Sequence, residues 1–322
     1  MRVVVTGVAG YVGSTLTTAL LAAGYRVCGL DNLSQGGRGL LGFWSHPAFE
    51  FVRGDIQDED LLRDALKEVD AVVHLAAIVG DPACARQPDL ARSINLDASL
   101  KVLDICRHSG VRRFVFASTC SNYGRMADPA QYVSETSELR PISLYAETKV
   151  AVEKRTLERA PSATFYPTVL RFATVYGVSP RMRFDLTVNE FTANLLVKGH
   201  LLVYGEQFWR PYIHVRDVAR AVLAVLEAPA EKVAGEVFNV GDTSENYRKQ
   251  DLVVLLQRHL PNARVEYVRR DEDPRDYRVC FDKITNALGY RITRQVEDGI
   301  REVISLIQHG IITDIEDPSY RN

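Results

Sequence analysis

Two side chains stand four apart in Tyr145-Ala146-Glu147-Thr148-Lys149, the spacing that turns both to one face of a helix. A free tyrosine, near pKa 10, is a poor base at neutral pH. An ammonium beside it favours the phenolate, so the pair can move a proton to and from a hydroxyl. The same spacing also occurs on solvated helix faces, so its meaning comes from its neighbours. Upstream, a strand-like run ends in a hydroxyl cluster, Ser118-Thr119-Cys120-Ser121-Asn122-Tyr123-Gly124. At the carboxyl edge of an open α/β sheet, such a hydroxyl can hold a substrate oxygen while the tyrosine transfers its proton. A Ser/Thr-rich turn would read the same way.

A second constellation lies near the start. Thr6-Gly7-Val8-Ala9-Gly10-Tyr11-Val12-Gly13 follows a strand-like run and opens a helical one. Gly7 can make the tight turn, Gly10 lets a pyrophosphate approach the backbone, and Gly13 allows close helix–strand packing. The helix N-terminus offers free N–H groups to phosphate. Asp31 ends the next strand-like run, where a carboxylate can accept both ribose hydroxyls of NAD and repel the 2′-phosphate of NADP. Asp55, ending the third strand, can bond the adenine amine or simply close a turn.

The elements that would position these groups alternate in period. Apolar strand-like runs at 3–6, 26–30, 49–53, 71–75 and 113–117 alternate with helical patterns at 14–23, 60–68 and 94–109. That rhythm implies parallel βαβ units. After about residue 177 the rhythm changes. Pro180-Arg181-Met182-Arg183 reads as loop, 188–197 and 217–226 as helices, 237–240 as a strand, and 269–278 as a charge-dense loop. An α/β fold of about two domains is expected from 322 residues.

Composition excludes several classes. The 39 basic and 41 acidic residues leave a charge of −2, so no global field draws the chain to nucleic acid or anionic membrane. Five cysteines, Cys28, Cys84, Cys106, Cys120 and Cys280, lack CxxC spacing, which argues against a disulfide framework or structural zinc and fits a reducing compartment. His74 and His214 lack ligand spacing, and no metal is expected. No leader of basic and apolar residues precedes the first strand, and the longest apolar stretches fall short of the roughly 20 residues that span a bilayer. A cytoplasmic protein is expected.

Together these residues resemble the extended short-chain dehydrogenase/reductases of the nucleotide-sugar epimerase/dehydratase type. The resemblance rests on TGVAGYVG at 6–13, Asp31-Asn32, Gly54-Asp55, His74-Leu75-Ala76-Ala77, Asn95, STCSNYG at 118–124, YAETK at 145–149, RFATVYG at 171–177, RPYIHVRD at 210–217 and FNVG at 238–241. It implies a Rossmann doubly wound parallel sheet of seven strands with a smaller, interleaved α/β substrate-binding domain. The expected division is an NAD-binding domain at 1–170, with 209–241 returning to it, and a nucleotide-sugar-binding domain at 171–208 and 242–322. By the same resemblance Tyr145 is the acid/base, Lys149 its partner and Thr119 the family hydroxyl. NAD would be held by Gly7, Gly10, Tyr11, Val12, Gly13, Asp31, Asn32, Asp55, Ile56, Leu75, Ala76, Ala77, Asn95 and Lys149. The substrate, a nucleotide-diphosphate sugar, would meet Thr119, Cys120, Ser121, Tyr145, Thr174, Arg210, Arg270 and Asp273. A homodimer through a four-helix bundle is implied as well.

Two departures narrow the activity. Thr174 stands where the family usually has Asn. Cys120 and Ser121 stand where the 4,6-dehydratases carry an Asp-Glu pair, so their dehydration chemistry lacks its carboxylates. The expected activity is a 4-epimerase with hydride transfer at carbon 4 through a 4-keto sugar. The alternatives are a 4-ketoreductase, a decarboxylase or 5-epimerase using Cys120, and a non-catalytic NAD sensor. Cys120 also reads as a small buried thiol.

Overall fold

The computed structural model describes residues 1–126, 128, 131–158, 164–268 and 275–322. Six strands come first: β1 (Arg2–Thr6), β2 (Arg26–Asp31), β3 (Phe49–Arg53), β4 (Ala71–His74), β5 (Arg113–Thr119) and β6 (Tyr166–Phe172). Six follow: β7 (Thr174–Tyr176), β8 (His200–Tyr204), β9 (Trp209–His214), β10 (Glu236–Val240), β11 (Asn246–Arg248) and β12 (Arg264–Val268).

Seven of them form one sheet in the order β10-β6-β5-β4-β1-β2-β3, with every neighbouring pair parallel. The central strands are near-continuous apolar runs because helices cover both faces. Their alternation sorts the side chains into two cores. Val3, Val5, Ala71, Val73 and Val115 join one cluster. Val4, Val72, Phe114 and Phe116 join the other.

The chain reverses its lateral direction at β1, from which β2 and β3 run one way and β4, β5 and β6 the other. Ligands of open parallel sheets bind outside the carboxyl ends of the strands at such a switch. Gly7, Asp31, Leu75 and Thr119 all lie at that edge, each at the end of its strand or just beyond it. The topology therefore gathers residues that are far apart in sequence.

Two small sheets complete the molecule. β9 pairs antiparallel with β11 and parallel with β7, and β8 pairs parallel with β12. Within the stretch 209–241, Glu236–Val240 extends the large sheet beside β6, whereas Trp209–His214 is the middle strand of the three-stranded one. A third core lies among the later elements and includes Tyr176, Phe191, Leu201, Tyr212 and Ile300. Arg270 and Asp273 lie outside the described residues.

Candidate active site

A cavity of about 670 Å³ opens at the carboxyl edge of the large sheet. Its first wall is the turn between β1 and the helix Tyr11–Ala22. Gly7 has φ +74°, and a side chain there would bring Cβ within 2.9 Å of the Ala76 nitrogen. A Cβ on Gly13 would fall 2.1 Å from the Gly7 oxygen. Only glycine leaves the loop this close to its neighbours. Gly10 is the helix N-cap and supplies no side-chain cap, so the first helical N–H groups have no side-chain acceptor.

Asp31 steadies this turn from the end of β2. Its carboxylate accepts the Ala9 N–H at 3.0 Å and the Leu33 N–H at 2.8 Å. Burial raises its pKa, and these two bonds pull it back. Of roughly four acceptor positions on a carboxylate, the others remain for a ligand hydroxyl. Asn32 donates to Asp55 at 2.8 Å. Burial opposes the Asp55 charge, but the bonds from Asn32 and Gln57 leave its pKa below the ordinary value. Tyr11, Val12, Ile56, Leu75, Ala76 and Ala77 line the same cavity.

Asn95 lies behind the cavity wall. It is fully buried and does not line the cavity. It lies in a π-helical turn, Ser93–Ala98, and its amide is used on both sides of Ile78, donating to the carbonyl at 2.9 Å and accepting from the N–H at 2.8 Å. It holds the 75–80 segment in place from behind.

Thr119, Tyr145 and Lys149 share the cavity with the glycine turn. Thr119 ends β5, and its hydroxyl oxygen accepts the Ser121 N–H at 3.1 Å, leaving its own proton to donate. Tyr145 and Lys149 lie on the helix Leu144–Glu158, with the Lys149 nitrogen 5.8 Å from the Tyr145 ring centre. Lys149 is 3% exposed, and its Nζ donates to the Ala117 carbonyl at 3.0 Å. Burial lowers its pKa to about 8. Burial also raises the Tyr145 phenol, with the Cys84 thiol adding to the effect.

The same helix face continues to Glu153, four residues beyond Lys149. Buried Glu153 pairs with buried Arg171 of β6, whose Nε lies 3.1 and 3.2 Å from its two oxygens. Ser118 donates to Glu153 at 2.9 Å, and Arg171 donates to the Tyr123 hydroxyl at 2.8 Å. This network ties the helix Leu144–Glu158 to β5 and β6 behind the hydroxyl cluster. The i, i+4, i+8 spacing of Tyr145, Lys149 and Glu153 is the one sequence signal that could have revealed it.

Two further expected residues lie outside the cavity lining. Cys120 is buried and does not line the cavity. Its thiol points to the Arg171 carbonyl, with sulfur and oxygen 3.3 Å apart, and burial pushes its pKa up. Arg210 also stays out of the cavity lining, because its guanidinium donates to the carbonyls of Trp209 and Arg275 and covers the Tyr277 ring. Arg275 and Tyr277, which it braces, do line the cavity, as do Ser121 and Thr174. Arg181, Arg183 and Asp185 line it too, although nothing in the loop-like run at 180–183 marks its arginines for that position.

His74 and His214 both have partners within the fold. His74 bonds Thr6 at 2.8 Å and Ser99 at 2.9 Å, and burial holds its pKa at about 3. His214 meets Glu302 at 2.9 Å.

Comparison with known proteins gives the family. The family model described as the NAD dependent epimerase/dehydratase family matches residues 3–241. A dTDP-glucose 4,6-dehydratase of Actinoplanes sp. is 31% identical, covering 95% of this chain and 97% of its own. UDP-glucuronic acid decarboxylase 2 of Arabidopsis thaliana is 29% identical, covering 99% of this chain and 71% of its own. The solved UDP-glucose 4-epimerase of Thermus thermophilus in complex with NAD superposes with a TM-score of 0.83 at 28% identity, over 96% of this chain and all of its own. These relatives differ in activity, so residues within the cavity must decide among them.

Proposed function

Because the chain belongs to the NAD-dependent epimerase/dehydratase family, we propose that it is an NAD-dependent nucleotide-diphosphate-sugar 4-epimerase. The observation that carries this reading is one cavity lined by Thr119, Tyr145 and Lys149 together with the glycine turn and Asp31, with no carboxylate at 120 or 121.

The residues present fit the cofactor. The glycine turn leaves a cradle that a Cβ would fill, and the uncapped helix N-terminus favours a diphosphate. The remaining lone pairs of Asp31 suit ribose hydroxyls. Asn32, Asp55, Ile56 and the 75–77 segment would complete the pocket, with Lys149 at the nicotinamide ribose. When bound, NAD exchanges two electrons with carbon 4 of the sugar.

The chain's own residues handle the proton. The Thr119 hydroxyl donates to the sugar 4-oxygen and orients it. Tyr145 takes the 4-hydroxyl proton and later returns it. Burial disfavours the phenolate, so Lys149 must supply the compensating charge. With its pKa at about 8, it is about nine-tenths protonated at pH 7. Charge placed beforehand beside a developing alkoxide costs no reorganisation during the reaction. The 4-keto sugar turns over within the cavity, and once carbon 4 has regained its hydride on the other face, Tyr145 returns the proton to the 4-oxygen.

Cys120 argues against the decarboxylase and 5-epimerase alternatives. They need a further acid/base, and its thiol is buried against a backbone carbonyl. The same reading takes the protein as a cytoplasmic homodimer assembled through the helix Leu144–Glu158. Among the described residues, no helix is long and apolar enough to cross a membrane. Thermal unfolding with UDP-, dTDP-, GDP- and CDP-hexoses tests the substrate class. At least one should raise the midpoint, and no shift with any nucleoside diphosphate overturns the sugar reading.

A further inference from the structure

Arg181 is a cation in a place that resists one. It is 5% exposed and lines the cavity. Of its five N–H donors, the two on one terminal nitrogen are used, on the Gln35 side-chain carbonyl at 2.9 Å and the Arg321 backbone carbonyl at 3.0 Å. Both acceptors are neutral. Its Nε is buried without an acceptor. Among the described residues no carboxylate pairs with it. Arg183, two residues on, is the contrast: it is held by both oxygens of Asp185 at 2.8 and 2.7 Å. Burial, with Arg183 nearby, lowers the Arg181 pKa to about 10, the Asp185 carboxylate opposing only part of the shift.

A buried guanidinium without a carboxylate bonded to it is costly, and an anion in the cavity would offset that cost. A planar guanidinium suits phosphate oxygens. Two diphosphates are expected in this cavity, one in the dinucleotide and one in the sugar nucleotide. The Gln35 tether favours the first. Gln35 lies four residues beyond Asp31, on the loop that leaves β2 toward the dinucleotide's ribose.

We infer that Arg181 is a cofactor-binding residue that takes the diphosphate of the dinucleotide, supplying from a late loop the charge that the glycine turn lacks. This rests on the NAD reading above. The tie to Arg321 then also places Arg321 and Asn322, which line the cavity, beside the bound cofactor. Asn322 is held there by Arg86, which donates to its carbonyl at 2.8 Å, and by Asp185, which accepts its N–H at 3.2 Å.

The test is titration calorimetry of nucleotide-free protein with ADP-ribose, and separately with UDP, for wild type, Arg181→Gln and Arg181→Lys. Loss of a charge-assisted contact should weaken ADP-ribose by roughly 10- to 100-fold in Arg181→Gln. Arg181→Lys should recover part of it, and UDP affinity should not change. The ligand-free unfolding midpoint of Arg181→Gln should equal or exceed that of wild type, because a buried unpaired charge is gone. A merely structural arginine would lower it. Unchanged ADP-ribose affinity, a lowered midpoint in both variants, or weakening of UDP instead of ADP-ribose each overturns the inference. If wild type itself binds no ADP-ribose, the NAD reading has failed instead.

Discussion

Burial of Lys149 brings its ammonium down to about 8, against about 10.4 in an unfolded chain. Between those values the unfolded chain binds one proton more than the fold, so this group makes stability rise with pH. Its charge is thus a burden on the ligand-free fold at neutral pH, kept because it faces Tyr145. Urea unfolding of wild type and Lys149→Met at pH 7 and 9.5 checks this. Wild type should gain about 2 kcal/mol on the variant over that interval, and a constant difference would show that Lys149 titrates normally. Tyr145→Phe addresses the proton itself. It should lower kcat by roughly 10²- to 10⁴-fold and leave ADP-ribose affinity unchanged, since the lost hydroxyl has no part in holding the dinucleotide.

At the scale of elements, the helix Leu144–Glu158 owes its position to a buried ion pair. Removing one partner strands the other charge. Glu153→Leu alone should therefore cost about 3–5 kcal/mol. The double variant Glu153→Leu/Arg171→Met should cost clearly less, and equal losses in the two would contradict the pairing. This pair also marks where sequence reading ends. The glycine turn, Asp31 and the Tyr145–Lys149 spacing are legible because each lies within one strand, one turn or one helix. The alternation of strands and helices likewise gives the parallel sheet. Asn95 is directed at Ile78 by a π-helical turn that the sequence pattern does not announce. Cys120 lies between two cavity-lining residues, yet the 3-10 turn Cys120–Tyr123 sets its thiol against the Arg171 carbonyl. The Arg210 guanidinium goes to carbonyls of its own neighbourhood. In each case the bonds made in the fold, which leave no trace in the local pattern, set where the side chain goes.

At the scale of the whole molecule, early and late segments build the cavity at the sheet edge together. The early chain contributes the glycine turn, Asp31, Thr119, Tyr145 and Lys149. The later chain contributes Thr174, Arg181, Arg183, Arg275 and Tyr277. Contacts across it are specific: Tyr11 donates to the Gly177 carbonyl at 2.6 Å, and Arg275 pairs with Asp81 at 2.8 Å. The proposed epimerase uses its cofactor twice in one turnover and releases neither electrons nor keto sugar. The most direct measurement incubates the purified protein with nucleotide-diphosphate hexoses and no added nicotinamide, following the configuration at carbon 4 by NMR. Either 4-epimer of the correct sugar should converge on the same equilibrium mixture. Conversion only of a 4-keto sugar, and only with NADH supplied, would contradict the epimerase and identify a one-way reductase.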